Sequence, residues 1–443
     1  MSAPAIIVAA PQSGSGKTLI TLGLLRALHD QGLKVGSFKV GPDYIDPAFH
    51  ARASGRPCRN LDSWAMRLET LAGLAADAGR DADIVIGEGV MGLFDGAPDG
   101  TGSTADLAAL LGLPVLLVVD ARRMAQSVAP LIEGFLRFRS DVEIDGIVLN
   151  AVGSERHSLT LKRACDERFA TPILGCLPRS DALALPSRHL GLVQAAEHPD
   201  LEAFIERAAR LVSEHLDLDR LRRLARRPTL DLMDPAGARP WPAIGQRIAI
   251  ASDAAFAFAY PAVLEGWHRQ GASVHPFSPL ADEPPDPAAD AVYLPGGYPE
   301  LHAGTLAANQ RCMAGLRDAA ARGAFLYGEC GGYMTLGETL IDRDGTAHAM
   351  AGLLPVTTSF ARPKLHLGYR ELTLAHGSPL GARSLAWRGH EFHYATETGR
   401  AGEPLFTARD GSLAPLPPMG CRLGNVAGSF AHLIDRHPRL GSV

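Results

Sequence analysis

The chain has 443 residues, 46% of them hydrophobic and 21% charged, with a formal net charge of −5. That length predicts two or three domains of about 150 residues each, with enough chain to bury large cores without staples. The slight acidity argues against a broadly basic face for nucleic acid, and no apolar run approaches the roughly 20 residues that span a bilayer.

The N-terminal residues lack a positively charged stretch, and their apolar run leads straight into a glycine loop. They read as a first strand, not a signal peptide. Ala5–Ala10, Val35–Val40, Ile84–Glu88, Val115–Asp120, Ile144–Asn150 and Ile173–Leu177 are short, β-branched and nearly continuous in hydrophobicity. Buried parallel strands have that character. The stretch TLITLGLLRALHDQG between the first two predicts an amphipathic helix with Gly32 at its C-cap. Strand–helix alternation of this kind implies a doubly wound parallel α/β sheet. From Leu216 to Arg247 the chain becomes charged and helical, then rich in Pro and Gly. A first domain over 1–227, a linker over 228–246 and a second α/β domain over 247–443 are expected. Arg247–Ser252, Val274–Phe277, Ala291–Leu294 and Ala324–Gly328 begin the second alternation. Glu391–Tyr394 and Ala427–His432 are expected to be further strands and loops of that second sheet. Six cysteines show no metal-type spacing, and Cys58, Cys165, Cys176, Cys312 and Cys421 read as buried or incidental thiols. A reducing cytoplasm is the expected compartment.

The first strand runs into Pro11-Gln12-Ser13-Gly14-Ser15-Gly16-Lys17-Thr18 and then a helix. A P-loop has Gly, four residues, then Gly-Lys-Ser/Thr; here Pro11 replaces the first Gly. The chemistry survives the change. Gly14 and Gly16 let backbone N–H groups turn toward phosphates, Lys17 brings a point charge, and Thr18 brings a hydroxyl for Mg²⁺. Glu88 ends a strand where open sheets place ligands, and Asp95 follows in Met91-Gly92-Leu93-Phe94-Asp95-Gly96; either can serve Mg²⁺ beside phosphates. The segment Lys39-Val40-Gly41-Pro42-Asp43-Tyr44-Ile45-Asp46-Pro47 forms a rigid loop carrying Lys, two Asp and Tyr. It suits an anionic ligand and a metal, although Asp and Pro are also ordinary turn residues.

Phe325-Leu326-Tyr327-Gly328-Glu329-Cys330-Gly331-Gly332 places a Cys between glycines at −2 and +2, after a strand and before a helical pattern, TLGETL. This is a nucleophile elbow with sulfur in place of oxygen. The sulfur is expected to be exposed near a helix N-terminus, which favours thiolate. Backbone N–H groups at Gly331 and Gly297 are candidates for an oxyanion hole. His432 is a candidate base or a core residue. His390 and His393 are not spaced as a helical metal pair.

These motifs together resemble the cobyrinic acid a,c-diamide synthase family of corrinoid biosynthesis, and within it the aerobic, metal-free-ring branch. The resemblance covers nearly the whole chain. It rests on APQSGSGKT, GPDYIDPAFH, MGLFDG, LNAVGSERH, SRHLGLVQAAE, FSPLADE, LPGGYPELHAG, GECGGYMTLGE, GHEFHYAT and AGSFAHLID. It implies an N-terminal P-loop domain of the dethiobiotin-synthetase-like class and a C-terminal class I glutamine amidotransferase domain. Cys330 is then the nucleophile toward glutamine and His432 its base. Lys17 and Thr18 bind ATP and Mg²⁺, with Glu88 a further metal group. Tyr44, Asp46 and Asp95 lie toward the carboxylate substrate, and Asn150 matches a position associated with adenine. In typical amidotransferases a Glu two residues after the His orients it; here that position is Ile434. The implied substrates are ATP, L-glutamine and the a and c acetate groups of hydrogenobyrinic or cobyrinic acid. No nucleic acid or membrane partner is implied, and a homodimer is left open. Cobyric acid synthase, a synthase acting on a nickel-bearing tetrapyrrole, a regulatory P-loop ATPase with a relic amidotransferase domain, and a simple Cys330 hydrolase are the competing readings.

Overall fold

Ile6, Ile7 and Val8 have no solvent exposure at all, and they make the first strand the centre of a sheet. The computed structural model describes residues 3–180, 187–188, 191–192, 194–198, 200–229 and 241–437. Linker positions 230–240 and part of the SRHLGLVQAAE segment lie outside the described residues. The chain divides into two compact units: Met1–Trp64 with Leu71–Ala238, and Ala65–Thr70 with Arg239–Val443.

In the first unit β1 (Ala5–Ala9), β2 (Val35–Val40), β3 (Cys58–Leu61), β4 (Ile84–Glu88), β5 (Val115–Asp120), β6 (Ile144–Val152) and β7 (Ile173–Pro178) form one sheet in the order β3-β2-β4-β1-β5-β6-β7. All six pairings are parallel. Strand β3 is absent from the expectation because Cys-Arg-Asn-Leu carries no apolar run; it pairs at the sheet edge, where such a sequence is tolerated. Helix α1 (Lys17–Asp30) follows β1 and buries Ile20, Leu22, Leu24, Leu25 and Leu28. It ends before Gly32, whose φ of 85° is the left-handed conformation that glycine permits. Helix α2 (Asp46–Ser54) has a proline in its first turn and closes on Gly55, a favourable start and stop. The chain turns in opposite directions from β1 and β4 toward the two halves of the sheet. Ligands of open α/β sheets bind at such a switch point. Truncating Ile6 or Ile7 to Ala would cost about 2–5 kcal/mol, the loss of buried methyl groups plus the cavity left behind.

In the second unit β8 (Arg247–Ala251), β9 (Ser273–Phe277), β10 (Ala291–Leu294) and β11 (Phe325–Glu329) form a parallel sheet, to which β16 (Val426–Ser429) adds in parallel and β15 (Cys421–Leu423) antiparallel at the edge. A separate antiparallel sheet contains β12 (His366–Leu374), β13 (Ala386–His393), β14 (Phe406–Asp410) and β17 (His432–Arg436). This corrects the expectation that the C-terminal strands all extend the second sheet. The apolar run Ala427–His432 is broken at Phe430-Ala431, and the chain changes sheets there: β16 pairs with β11, and β17 pairs with β13. Arg67, in the segment grouped with this unit, holds buried Asp435 through its backbone N–H at 2.9 Å and its guanidinium at 3.0 Å.

Candidate active sites

In the first unit the residues after β1 turn through two left-handed glycines, Gly14 at φ 77° and Gly16 at φ 91°. A side chain at Gly16 would strike Asn150 Nδ2 at 2.2 Å, so the loop needs glycine there on two counts. Asn150 Nδ2 donates to the Ser15 carbonyl at 2.9 Å, which makes Asn150 a brace on the loop. Lys17 Nζ donates to the Met91 carbonyl at 2.6 Å. Met91 itself has φ 47°, a costly conformation for a side chain of its size. Burial, then the Lys39 charge, lowers the Lys17 pKa to about 8.

The β1, β2 and β4 register aligns Val8 with Glu88 and Lys39 with Glu88. Lys39 Nζ donates to Glu88 Oε1 at 2.9 Å and to Asp46 Oδ2 at 2.5 Å. His50, on the next turn of α2, reaches Glu88 Oε2 at 2.6 Å. Thr18 donates to Glu88 Oε1 at 2.6 Å. Lys39, Asp46, His50 and Glu88 are all buried. Burial opposes charge on Glu88, but the Lys39 cation and the His50 hydrogen bond outweigh it and hold the carboxyl ionised. Burial also opposes the Lys39 cation, and Asp46 and Glu88 more than offset it. Burial and the Asp43 charge raise the Asp46 pKa to about 7.

Thr18 Oγ1 and Glu88 Oε1 form the kind of hard oxygen pair that Mg²⁺ accepts while keeping several waters. Among the described residues no group of three or more His, Cys, Asp or Glu side chains is arranged to hold a metal by itself. The pair therefore fits an ion brought in with phosphate oxygens. Asp95 is exposed and accepts the Gly92 N–H at 2.8 Å, shaping its own loop. That loop hangs on the residue after β1 through Leu93 N–H to the Ala10 carbonyl at 2.8 Å. Asp43 accepts the Ile45 N–H at 2.7 Å and so fixes the Tyr44–Asp46 turn. Past the ends of β5, β6 and β7 opens a cavity of about 620 Å³ lined by Asp120, Arg122, Arg123, Gly153, His157 and Arg179.

In the second unit Cys330 follows β11 with φ 46°, the strained elbow that the spacing predicts. The neighbouring glycines are forced. A Cβ at Gly332 would meet the Leu294 carbonyl at 1.9 Å, and one at Gly328 would meet Gly332 at 2.6 Å. The helix begins at once, Gly331–Leu336, and TLGETL is its end and the next strand. Cys330 is 2% exposed, which corrects the expectation of an open, acidified sulfur. Burial, then the Glu300 charge, pushes its pKa up, and the Gly331 N–H bonded to it works against them. A thiol in such a place needs a base to take its proton. A Cβ at Gly331 would stand 3.1 Å from the Gly297 nitrogen, so the two proposed oxyanion donors belong to adjacent backbone.

His432 is the first residue of β17 and pairs in register with His390 of β13. Their rings stack, centroids 5.0 Å apart. Gly296 lies between His432 and Cys330: a Cβ there would lie 3.3 Å from His432 Nε2 and 3.3 Å from Cys330 Cβ. Burial, then the charges of His390 and His393, lowers the His432 pKa, which keeps the imidazole neutral. On its other side Nδ1 is 3.8 Å from Glu329 Oε2.

The structure thus brings Lys17, Thr18, Glu88 and Asp46 together, and brings Cys330, His432, Gly331 and Gly297 together. Asp95 stands on the neighbouring loop, and Tyr44 on the fixed turn before Asp46. Sequence reasoning missed His50 and gave Lys39 no specific role. Both carry a signal in retrospect, a charged residue inside an otherwise buried strand or helix face.

A family profile described as the CobQ/CobB/MinD/ParA nucleotide binding domain matches residues 6–193, and one described as the CobB/CobQ-like glutamine amidotransferase domain matches residues 247–439. The chain is therefore a P-loop nucleotide-binding domain followed by a glutamine amidotransferase domain. A protein of Brucella anthropi named hydrogenobyrinate a,c-diamide synthase is 54% identical over 97% of this chain and 98% of its own length. Proteins of the same name from Rhizobium meliloti and Mesorhizobium japonicum are 54% identical over 97% and 50% identical over 98% of this chain, each across 99% of the relative. The chain belongs to the hydrogenobyrinate a,c-diamide synthase family.

Proposed function

We propose that this protein uses ATP and glutamine to convert the a and c acetate carboxylates of hydrogenobyrinic acid, or of its cobalt-bearing counterpart cobyrinic acid, to amides in cobalamin biosynthesis. The observation that carries the reading is the pairing, in one chain, of the Lys17–Thr18–Glu88 cluster with the Cys330–His432 elbow. Family membership over nearly the whole length supports it. A carboxylate does not react with ammonia at neutral pH, because oxide is a poor leaving group. In the reaction proposed, a carboxylate oxygen attacks the γ-phosphorus of ATP, ADP leaves, and an acyl phosphate remains. Gly14, Gly16 and Lys17 hold the phosphates, the nucleoside occupies the cavity past β5–β7, and Asn150 steadies the loop. Thr18 and Glu88 would hold Mg²⁺, which would supply charge neutralisation at the phosphates. Tyr44 and Asp95 lie toward the macrocycle, and Asp46, held by Lys39, anchors the turn that carries Tyr44.

In the second unit the Cys330 sulfur attacks the side-chain amide carbon of glutamine while His432 takes the thiol proton. The proton passes to the amide nitrogen, ammonia leaves, and a glutamyl thioester remains for water to hydrolyse to glutamate. Donors at Gly297 and Gly331 receive the developing oxyanion. Ammonia then attacks the acyl phosphate carbon and expels inorganic phosphate, leaving the amide. Because acyl phosphates hydrolyse, glutamine cleavage is expected to quicken when ATP and the acid are bound. The substrates are small molecules, the compartment proposed is the cytoplasm, and no helix among the described residues is long and apolar enough to cross a membrane. Hydrogenobyrinic acid labelled with ¹⁸O in its carboxylates tests the activation step. One labelled oxygen should appear in phosphate for each amide formed; phosphate free of label would refute the acyl phosphate.

A further inference from the structure

Glu329 is a carboxylate in the last place a parallel strand ordinarily puts one. It is 1% exposed, on a five-residue strand that is buried throughout. Alternation along β11 sets Tyr327 and Glu329 on one face, and the β10 register sets Tyr293 beside Tyr327. Tyr293 donates to Glu329 Oε2 at 2.8 Å and Tyr327 donates to Oε1 at 3.2 Å. Behind them lie Trp241, Trp267 and Trp387, ring against ring, with Trp241 and Trp267 each against Tyr293. These surroundings are aromatic and buried, and the carboxylate needs a reason to be there.

That reason lies on the segment carrying the base. The Leu433 N–H donates to Glu329 Oε1 at 2.9 Å, and Oε2 faces His432 Nδ1 at 3.8 Å. Glu329 thus grips the backbone one residue after His432 while facing the ring nitrogen remote from Gly296 and Cys330. The position two residues after the His, where typical amidotransferases keep their acidic partner, is Ile434, buried at 2% exposure.

We propose that Glu329, the residue immediately before the nucleophile, is the positioning residue for the base His432, fixing the ring so that Nδ1 carries the proton and Nε2 receives that of Cys330. The inference rests on the reading of Cys330 and His432 as nucleophile and base. As the thiol proton arrives, the imidazolium that forms stands against a carboxylate in low dielectric, where that charge is best compensated. Burial raises the Glu329 pKa to about 8, against the pull of the Leu433, Tyr293 and Tyr327 hydrogen bonds. The titratable and charged groups facing this cluster are Tyr293 and Tyr327 from the sheet, Cys330 on the elbow with Glu300 and Glu391 in its field, and His390 and His393 beside His432, with Tyr260 bonded to His390.

The test compares glutamine with ammonium chloride as nitrogen source for ATP-dependent amidation of hydrogenobyrinic acid by the full chain, across pH. Because the Glu329 carboxylate forms as pH rises through about 8, kcat with glutamine should climb over that range in the parent protein. Glu329→Gln should lower kcat with glutamine about 10- to 100-fold, leave KM for glutamine and the ammonium-dependent rate within about twofold, and remove that alkaline limb. Glu329→Asp should restore part of the rate. Tyr293→Phe, which keeps the ring and removes one donor, should move the limb to higher pH and serves as a second test where Glu329→Gln does not fold. An unchanged glutamine kcat and pH profile in Glu329→Gln, or equal losses with both nitrogen sources, would overturn the proposal. Retained glutamine use by Cys330→Ala would instead overturn the nucleophile reading on which it rests.

Discussion

Thr18 and Glu88 meet at 2.6 Å, joining the residue after the P-loop lysine to the C-terminal end of β4. The contact exists because β4 lies directly beside β1 in the sheet, although 70 residues separate the two in sequence. Thr18→Ala removes one of the two oxygens proposed to hold Mg²⁺. We expect KM for Mg·ATP to rise at least tenfold, roughly the loss of one charge-assisted contact, with glutamine hydrolysis in the absence of ATP unchanged. Initial rates at varied Mg·ATP, alongside basal glutamate release, check both halves.

Lys39 bridges Asp46 and Glu88, and His50 holds the other Glu88 oxygen. Removing it takes the bridging cation from two buried carboxyl groups and leaves Asp46 without its ion pair. Lys39→Ala should destabilise the first unit by about 3–5 kcal/mol, since an unpaired buried charge is left behind. Urea unfolding followed by tryptophan fluorescence and circular dichroism measures the loss. A midpoint equal to that of the parent protein would contradict the pairing.

Lys17 has a pKa lowered to about 8. Its cation is present at neutral pH and is lost as pH rises through that value. Affinity for the nucleotide phosphates should therefore fall on the alkaline side, with KM for ATP rising above about pH 8, or somewhat higher where bound phosphate holds the proton on. Lys17→Ala should show no such pH dependence and a high KM at every pH. Steady-state kinetics with ammonium chloride as nitrogen donor isolates this effect from the cysteine chemistry.

Gly296 has no room for a side chain: a Cβ would stand 2.4 Å from His432 Cε1. Gly296→Ala is expected to push the ring off Cys330 and cut glutamine-dependent amidation by about 100-fold, the scale of a displacement of about 1 Å at a reacting group. Ammonium-dependent amidation should persist. Parallel assays with the two nitrogen sources decide it.

The P-loop and the elbow were legible because each is a local pattern: glycines at fixed offsets, a strand before and a helix after. Four strands, Val35–Val40, Ile84–Glu88, Val115–Asp120 and Ala291–Leu294, keep the bounds that hydrophobic runs predict. What the sequence hid is set by register. Lys39 and Glu88 become neighbours only when β2 lies beside β4, an order that no single run of residues encodes. The fate of His432 was hidden for a related reason. Its apolar run reads as one strand, but Phe430-Ala431 passes it from a parallel sheet to an antiparallel one, where His390 waits opposite. Burial of Cys330 was equally hidden, because a glycine-flanked elbow states the turn and says nothing of what covers it. The buried Glu329 did leave a trace, a charge at the end of an otherwise apolar strand.

The most direct measurement incubates the protein with ATP, Mg²⁺, glutamine labelled with ¹⁵N at its side-chain amide and either hydrogenobyrinic or cobyrinic acid, and follows product mass. Successive gains of two labelled amide nitrogens on one ring, absent when ATP is omitted and confined to added ammonia in Cys330→Ala, are expected. ATP hydrolysis without any change in the mass of either ring would contradict a,c-diamide synthesis and turn attention to the nickel-bearing tetrapyrrole.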